Sequence, residues 1–390
     1  MTSRRLPFAS SETPLHRLAA QRRASGARLF DLTCANPTTV GLAYPEAELR
    51  DALAEGDWLR HQPDPRGLHS ARAAIADRTG AAVDDLLLTA STSEAYALLV
   101  KLLCDPGDAV LAPTPAYPLL EHLVALEGVE LVPFPLAWEG RWQLDVDALD
   151  HALARTPRAR ALLVVNPGNP TGTLLRASEL AQLGERAAAR GLALISDEVF
   201  GAYAWDDGAA ASGTERIGCV AADAPCLAFS LDGLSKRCGL PQLKLSWIRA
   251  GGPLLARRAA LAQLELIADA YLSVGAPVMA ATGRLLDLGD GIRANILARV
   301  RANRAWLAQH VGTGGAATLL TAEGGWCQAL RLPATLADDE LALELLAAHN
   351  VLVHPGYLFD FPDGWTCVVV SLLVPEHELR AGVEAILSLI

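Results

Sequence analysis

A chain of 390 residues, 51% of them hydrophobic and 20% charged, can bury a large core and divide into two domains, and it lies well outside the disordered regime. A formal net charge of −11 argues against nucleic acid as the main partner, because that needs a basic surface. No run of 18 apolar residues suggests a membrane span, residues 1–10 hold no apolar stretch fit for a signal peptide, and seven cysteines without metal-type spacing fit reduced thiols, so a cytoplasmic protein with no metal is expected.

The first forty-odd residues show no periodic core pattern and are expected to form an arm packed on the C-terminal part of the chain. Short apolar runs bounded by Gly, Pro, Asp or Asn then predict strands over 86–89, 109–112, 131–134, 161–165, 192–196, 226–230 and 244–250. Helical periodicity between them predicts helices over 93–104, 118–126 and 177–190. This alternation points to an α/β layer fold around a mostly parallel sheet, which binds ligands at the carboxyl ends of its strands. Further on, helices are expected over 257–271, 277–288 and 292–311. Strands over 327–332 and 367–373 follow, with helices over 341–349 and 376–389. The expected division is an N-terminal arm and part of a small domain over 1–45, a large domain over 46–285, and a small α+β domain over 286–390.

Three segments at predicted strand ends carry the chemistry. The first is the turn Asn166-Pro167-Gly168-Asn169-Pro170-Thr171-Gly172, and the second is Ser196-Asp197-Glu198-Val199-Phe200. The third is Ser235-Lys236-Arg237-Cys238-Gly239-Leu240-Pro241, with Lys244 beyond it. Asn169 and Asp197 lie 28 residues apart, and Asp197 and Lys236 lie 39 apart. Only three lysines, Lys101, Lys236 and Lys244, occur among 33 basic residues. In so Arg-rich a chain, a retained lysine points to a need for an amine.

Pyridoxal-phosphate (PLP) chemistry requires parts of this kind. A lysine amine forms an imine with the cofactor aldehyde, which arginine cannot do. A carboxylate keeps the pyridine nitrogen protonated, and a side-chain amide donates to the ring oxygen. Hydroxyls and a helix N-terminus hold the phosphate, and Thr89-Ala90-Ser91-Thr92-Ser93-Glu94 has that form. Singly, each motif is more often a turn, a cap or a snorkelling lysine. Their order and spacing together make the catalytic reading the stronger one.

Over nearly its whole length the chain resembles a class I/II aminotransferase of the aspartate aminotransferase fold, PLP-dependent fold type I. The three segments carry the resemblance together with Pro113-Thr114-Pro115-Ala116-Tyr117-Pro118 and, more weakly, Pro63-Asp64-Pro65-Arg66-Gly67-Leu68. The resemblance implies a large domain with a mostly parallel sheet beside a smaller α+β domain. It also implies transfer of an amino group between an amino acid and a 2-oxo acid, and a homodimer. By the same resemblance Lys236 is the Schiff-base lysine and general base, and Asp197 pairs with the pyridine nitrogen. Asn169 donates to the ring oxygen, Tyr117 stacks on the ring, and Ser91, Thr92, Ser93 and Lys244 bind the phosphate.

The chain departs from the family at three places. Phe200 stands where the family has a tyrosine that donates to the ring oxygen, which leaves Tyr203 as a nearby alternative. Lys244 replaces an arginine, a point charge for a planar fork. Val369 stands where the family's arginine clamps the substrate carboxylate, and between residues 332 and 390 the only basic residue of that kind is Arg380. Asn36 and His354, with Asn169, are the candidates for holding substrate. The plainer reading of His354 is a structural residue at a turn. The missing clamp keeps open an alternative, a PLP-dependent lyase, decarboxylase or other non-transaminating enzyme on the same fold. A transcription regulator with an aminotransferase-like domain is disfavoured, because the family-like segment begins near residue 30.

Overall fold

The computed structural model describes residues 3, 5, 13–56, 59–205, 216–311 and 316–390. Apart from Ser3 and Arg5, the stretch 1–10 inspected for a signal sequence lies outside them. The large sheet contains seven strands: β1 (Leu86–Thr89), β2 (Ala109–Thr114), β3 (Glu130–Pro135), β4 (Ala159–Val165), β5 (Ala193–Asp197), β6 (Ala228–Gly233) and β7 (Ser246–Gly251). Their order across the sheet is β1-β7-β6-β5-β4-β2-β3. Neighbours from β6 to β3 run parallel, and β7 alone runs against both of its neighbours. The inner strands are buried almost throughout, which explains why they read as continuous apolar runs rather than as alternating ones.

Local sequence accounts for the helices that frame this sheet. At the start of the helix Thr92–Leu103 the Ser91 hydroxyl accepts from the Glu94 N–H (3.1 Å), and Glu94 reaches back to the Ala90 N–H (2.6 Å). The first bond satisfies an N–H group that a helix start leaves open, and the second ties the helix to the residue before its cap. The helix Ala177–Arg190 buries Leu180, Leu183 and Ala187 and ends at Gly191, whose φ of 66° is a left-handed conformation that glycine adopts freely.

A second sheet contains β8 (Thr318–Leu319), β9 (Cys327–Leu332), β10 (His354–Pro355) and β11 (Thr366–Ser371), in the order β8-β9-β11-β10 with antiparallel pairs throughout. On one face Leu330, Val368 and Val370 share a core with Leu345, Leu379 and Ile386 of the helices Asp338–His349 and Glu376–Ser388. On the other face Ala329, Cys367 and Val369 pack with Trp142, Phe359 and Phe361. The N-terminal helix Pro14–Ala24 lies on the helix Asp338–His349, and Phe30–Asp31 pairs in parallel with Val351–Leu352.

The helices expected over 277–288 and 292–311 are instead a short helix, Ala276–Ala280, and one long helix, Thr282–His310. Gly289 and Gly291 do not break it. A Cβ on Gly289 would lie 2.4 Å from the Cys238 sulfur, so glycine here lets the helix approach the segment after Lys236. Asn303 of this helix donates to the Leu372 and Val374 carbonyls, both at 2.8 Å, which ties it to the second sheet.

Candidate active site

The carboxyl ends of β1, β4, β5 and β6 lie along one edge of the large sheet, and the predicted site residues lie on the segments leaving them. Asp197 is the last residue of β5. One of its carboxylate oxygens accepts from the Val199 N–H (3.1 Å) and the other from the Tyr96 hydroxyl (3.1 Å). Burial pushes its pKa up to about 6 against the pull of these two hydrogen bonds. The group is therefore mostly ionised at pH 7, though barely compensated by protein alone.

Lys236 sits in the single turn of helix Leu234–Arg237 that follows β6. Gly233 makes that turn feasible, since a Cβ there would lie 2.2 Å from the Ser246 hydroxyl oxygen of β7. Among the described residues the amine forms no ion pair. It lies over the rings of Trp326 (5.0 Å to the centroid) and Phe200 (5.8 Å). Burial lowers its pKa, partly opposed by the charge of Asp197. The Tyr203 hydroxyl, the alternative donor named above, donates to the Lys236 carbonyl at 2.7 Å and is thereby committed.

Asn169 leaves β4, and its side-chain oxygen accepts from the Cys327 thiol (3.5 Å), which turns its NH2 group away from that contact as a free donor. Ser91 caps the helix Thr92–Leu103, while the Thr92 and Ser93 hydroxyls, half-buried, have no protein partner among the described residues. In β7, Ser246 pairs with Thr89 on one side and with Gly233 on the other. Lys244, exposed and left-handed at φ 53°, precedes that pair by two residues.

The remaining candidates lie on the side of the second sheet. The loop of Tyr117, whose side chain is 44% exposed, is held by an Ala116 N–H bond to the Phe359 carbonyl (2.9 Å). His354 lies directly opposite Val369 in the β10–β11 pairing and edge-on to Phe359 at 5.8 Å. Asn36 is exposed, and its side-chain oxygen accepts from the Thr38 N–H (3.0 Å) and hydroxyl (2.8 Å). Its loop is anchored where the Cys34 carbonyl accepts from Ser371 (2.6 Å). No hydrogen bond links Asn36 or His354 to Lys236, Asp197 or Asn169.

Three residues of the site were not singled out from sequence. Tyr96 is the lone aromatic on the buried face of its helix, three residues past Ser93, a spacing that could have drawn attention to it. Trp326 and Cys327 carry no motif, and only the approach of the second sheet puts them against Lys236 and Asn169.

The set matches the chemistry of PLP. A half-buried amine without an ionic partner among the described residues can take the aldehyde, and a half-buried carboxylate can hold the ring N–H. A free amide NH2 can reach the ring oxygen, and unpartnered hydroxyls at a helix N-terminus can hold a phosphate. The model of the family "Aminotransferase class I and II" matches residues 33–386. An alanine aminotransferase from Mycobacterium bovis is 29% identical over 95% of this chain and 87% of its own length. A glutamate-pyruvate aminotransferase from Escherichia coli is 25% identical over 90% and 87%. An alanine aminotransferase from Pyrococcus furiosus superposes over 100% of this chain and 99% of its own with a TM-score of 0.85 at 22% identity. The chain belongs to the class I and II aminotransferases and is a PLP-dependent enzyme that moves amino groups between amino acids and 2-oxo acids.

Proposed function

We propose that Lys236 is the lysine to which the cofactor attaches and the base that moves the substrate proton. The observation that carries this reading is an amine with no ionic partner among the described residues, held over two rings, in the helical turn that follows β6, the strand next to the one that ends in Asp197. PLP, when bound, supplies an aldehyde that captures amines and a ring that withdraws electrons from the substrate carbon. Asp197 accepts from the ring N–H and keeps that nitrogen protonated, while Tyr96 and the Val199 N–H fix the carboxylate. Asn169 donates to the ring oxygen, and Phe200 contributes no second donor there. Thr92, Ser93 and the helix N-terminus hold the phosphate with Ser91 and Lys244, and Tyr117 covers the ring. Desolvation of Lys236 favours its neutral amine, the form able to take a proton.

Asn36, Asn169 and His354 face the substrate in this reading. The names of the relatives make alanine, glutamate and their 2-oxo acids the first substrates to try. With PLP-loaded protein, alanine or glutamate should convert the cofactor absorbance to that of its aminated form, and pyruvate should restore it. Release of carbon dioxide or an elimination product without that conversion would favour the lyase alternative.

The chain divides, in this proposal, into residues 46–285 around the large sheet, 286–390 around the second sheet, and an arm over 1–45. The protein acts in the cytoplasm as a homodimer. Support for dimerisation comes from a cleft lined by Pro63, Asp64, Pro65 and Gly67, edged by the exposed side chains of Leu59 (85%) and Tyr271 (53%). Light scattering should return twice the chain mass of 41.2 kDa; a monomer mass would refute this part.

A further inference from the structure

Among the described residues the Lys236 amine makes no hydrogen bond, so its position is set by the turn that carries it. That turn, Leu234–Arg237, is short, and the Cys238 N–H closes it on the Leu234 carbonyl at 3.1 Å. A single helical turn fixes several backbone torsions for very few bonds and does not hold itself. The Leu234 N–H donates to the Leu245 carbonyl (2.9 Å) and the Tyr203 hydroxyl to the Lys236 carbonyl, so part of the hold comes from outside.

A buried carboxylate supplies the rest. Asp232 of β6 accepts from the Gly233 N–H at the entry to the turn (2.7 Å). Its other oxygen accepts from Arg237, the last residue of the turn, through Nε at 2.7 Å and a terminal nitrogen at 2.5 Å. The segment 232–237 is thereby closed into a ring through its side chains, with Lys236 inside it. Trp247, opposite Asp232 in the β6–β7 pairing, lies 5.9 Å from the Arg237 guanidinium. The Arg237 and Asp232 side chains are only 22% and 8% exposed, so removal of either charge strands the other. The pair also borders a cavity of about 450 Å³ lined by Gly201, Ala202 and Arg293, and Arg293 is drawn to Asp290 at 3.0 Å. That space gives the turn room to shift once the pair is lost, so packing alone does not fix Lys236.

We propose that Asp232 and Arg237 are positioning residues, whose ion pair locks the turn of Lys236 so that its amine stays aimed at the cofactor aldehyde. The inference rests on the proposed attachment of the cofactor at Lys236. The pair acts through the backbone, since its bonds begin and end within the segment 232–237. Its loss therefore slows capture of the aldehyde, in which amine and aldehyde join with release of one water. The grip on ring and phosphate, assigned to Asp197, Asn169 and the helix start at Thr92, is left as it was.

The test mixes the full chain, freed of cofactor, with PLP or with pyridoxine 5′-phosphate, which has an alcohol in place of the aldehyde and cannot be captured. Capture is followed as borohydride-fixed label on Lys236 against time. Arg237→Gln and Asp232→Asn should each slow capture by about tenfold to a hundredfold, the cost of misplacing a reacting group by about 1 Å. The Kd for pyridoxine 5′-phosphate should stay within about threefold of native. Arg237→Lys should restore capture to within about threefold, because both Arg237 bonds end on one oxygen that an ammonium can also bond. If neither single variant folds, the double variant Asp232→Asn/Arg237→Gln, which strands no charge, decides by the same comparison. Native capture rates in the variants, an equal loss of pyridoxine 5′-phosphate binding, or failure of all three to fold would overturn this inference and leave the proposed function standing. A native chain that takes no label at Lys236 would overturn both.

Discussion

Lys236→Ala should yield a folded protein that binds PLP without covalent attachment and turns over amino acids at least about 10³-fold more slowly, since nucleophile and proton carrier are lost together. Folding should survive, because no described ion pair or side-chain hydrogen bond depends on the amine. The contact of the Tyr203 hydroxyl with residue 236 is made to the backbone carbonyl, which alanine retains. Borohydride reduction of the native holoenzyme followed by peptide mapping should place the cofactor on Lys236 and leave Lys101 and Lys244 unmodified. Lys101 is already occupied by Glu127 at 2.5 Å, and Lys244 is an exposed residue on a left-handed turn. Label on either of them, or an alanine variant with native turnover, would refute the assignment.

Asp197→Asn should lower turnover by roughly 10²–10³-fold, the cost of removing one preorganised electrostatic group from a buried site. The amide nearly matches the carboxylate in shape, so circular dichroism should show an unchanged fold. The variant should also differ in its dependence on pH. In the cofactor-free protein the carboxyl titrates near 6, so it is ionised above that value and protonated below it. Only the ionised form accepts from a ring N–H. The association of PLP with the native chain should therefore weaken as pH falls through about 6, while the asparagine variant, which has nothing to titrate there, should lose that step. Near-normal turnover in the variant would reduce Asp197 to a structural acceptor for the Val199 N–H.

Much of this architecture is legible in the chain. The buried strands of a parallel sheet read as short apolar runs because both faces are covered, and six of the seven large-sheet strands were found within about two residues of either end by that rule alone. The helices at 177–190 and 92–103, the latter expected over 93–104, announce themselves through periodicity, and hydroxyls over 91–93 mark the start of the second. What misled the reading was glycine in the helix Thr282–His310, where local propensity favours a break and the close approach to Cys238 favours continuity. The arm helix Pro14–Ala24 was missed because its burial comes from one helix of the second sheet's layer, too narrow a contact to impose a period.

The site divides along the same line. By itself the sequence determined which residue types stand at the strand ends: the amine, the carboxylate, the amide and the hydroxyls, in an order and spacing that only a common sheet edge explains. It also showed, at Val369, that a cation is absent. Tertiary structure alone decided what surrounds them. Tyr96 bonds Asp197 across 101 positions of chain, Cys327 meets Asn169 across 158, and His354 faces Val369 through strand register. Such contacts arise from how a helix packs on its sheet, how strands pair and how two sheets approach one another, and no local propensity or short spacing encodes those arrangements.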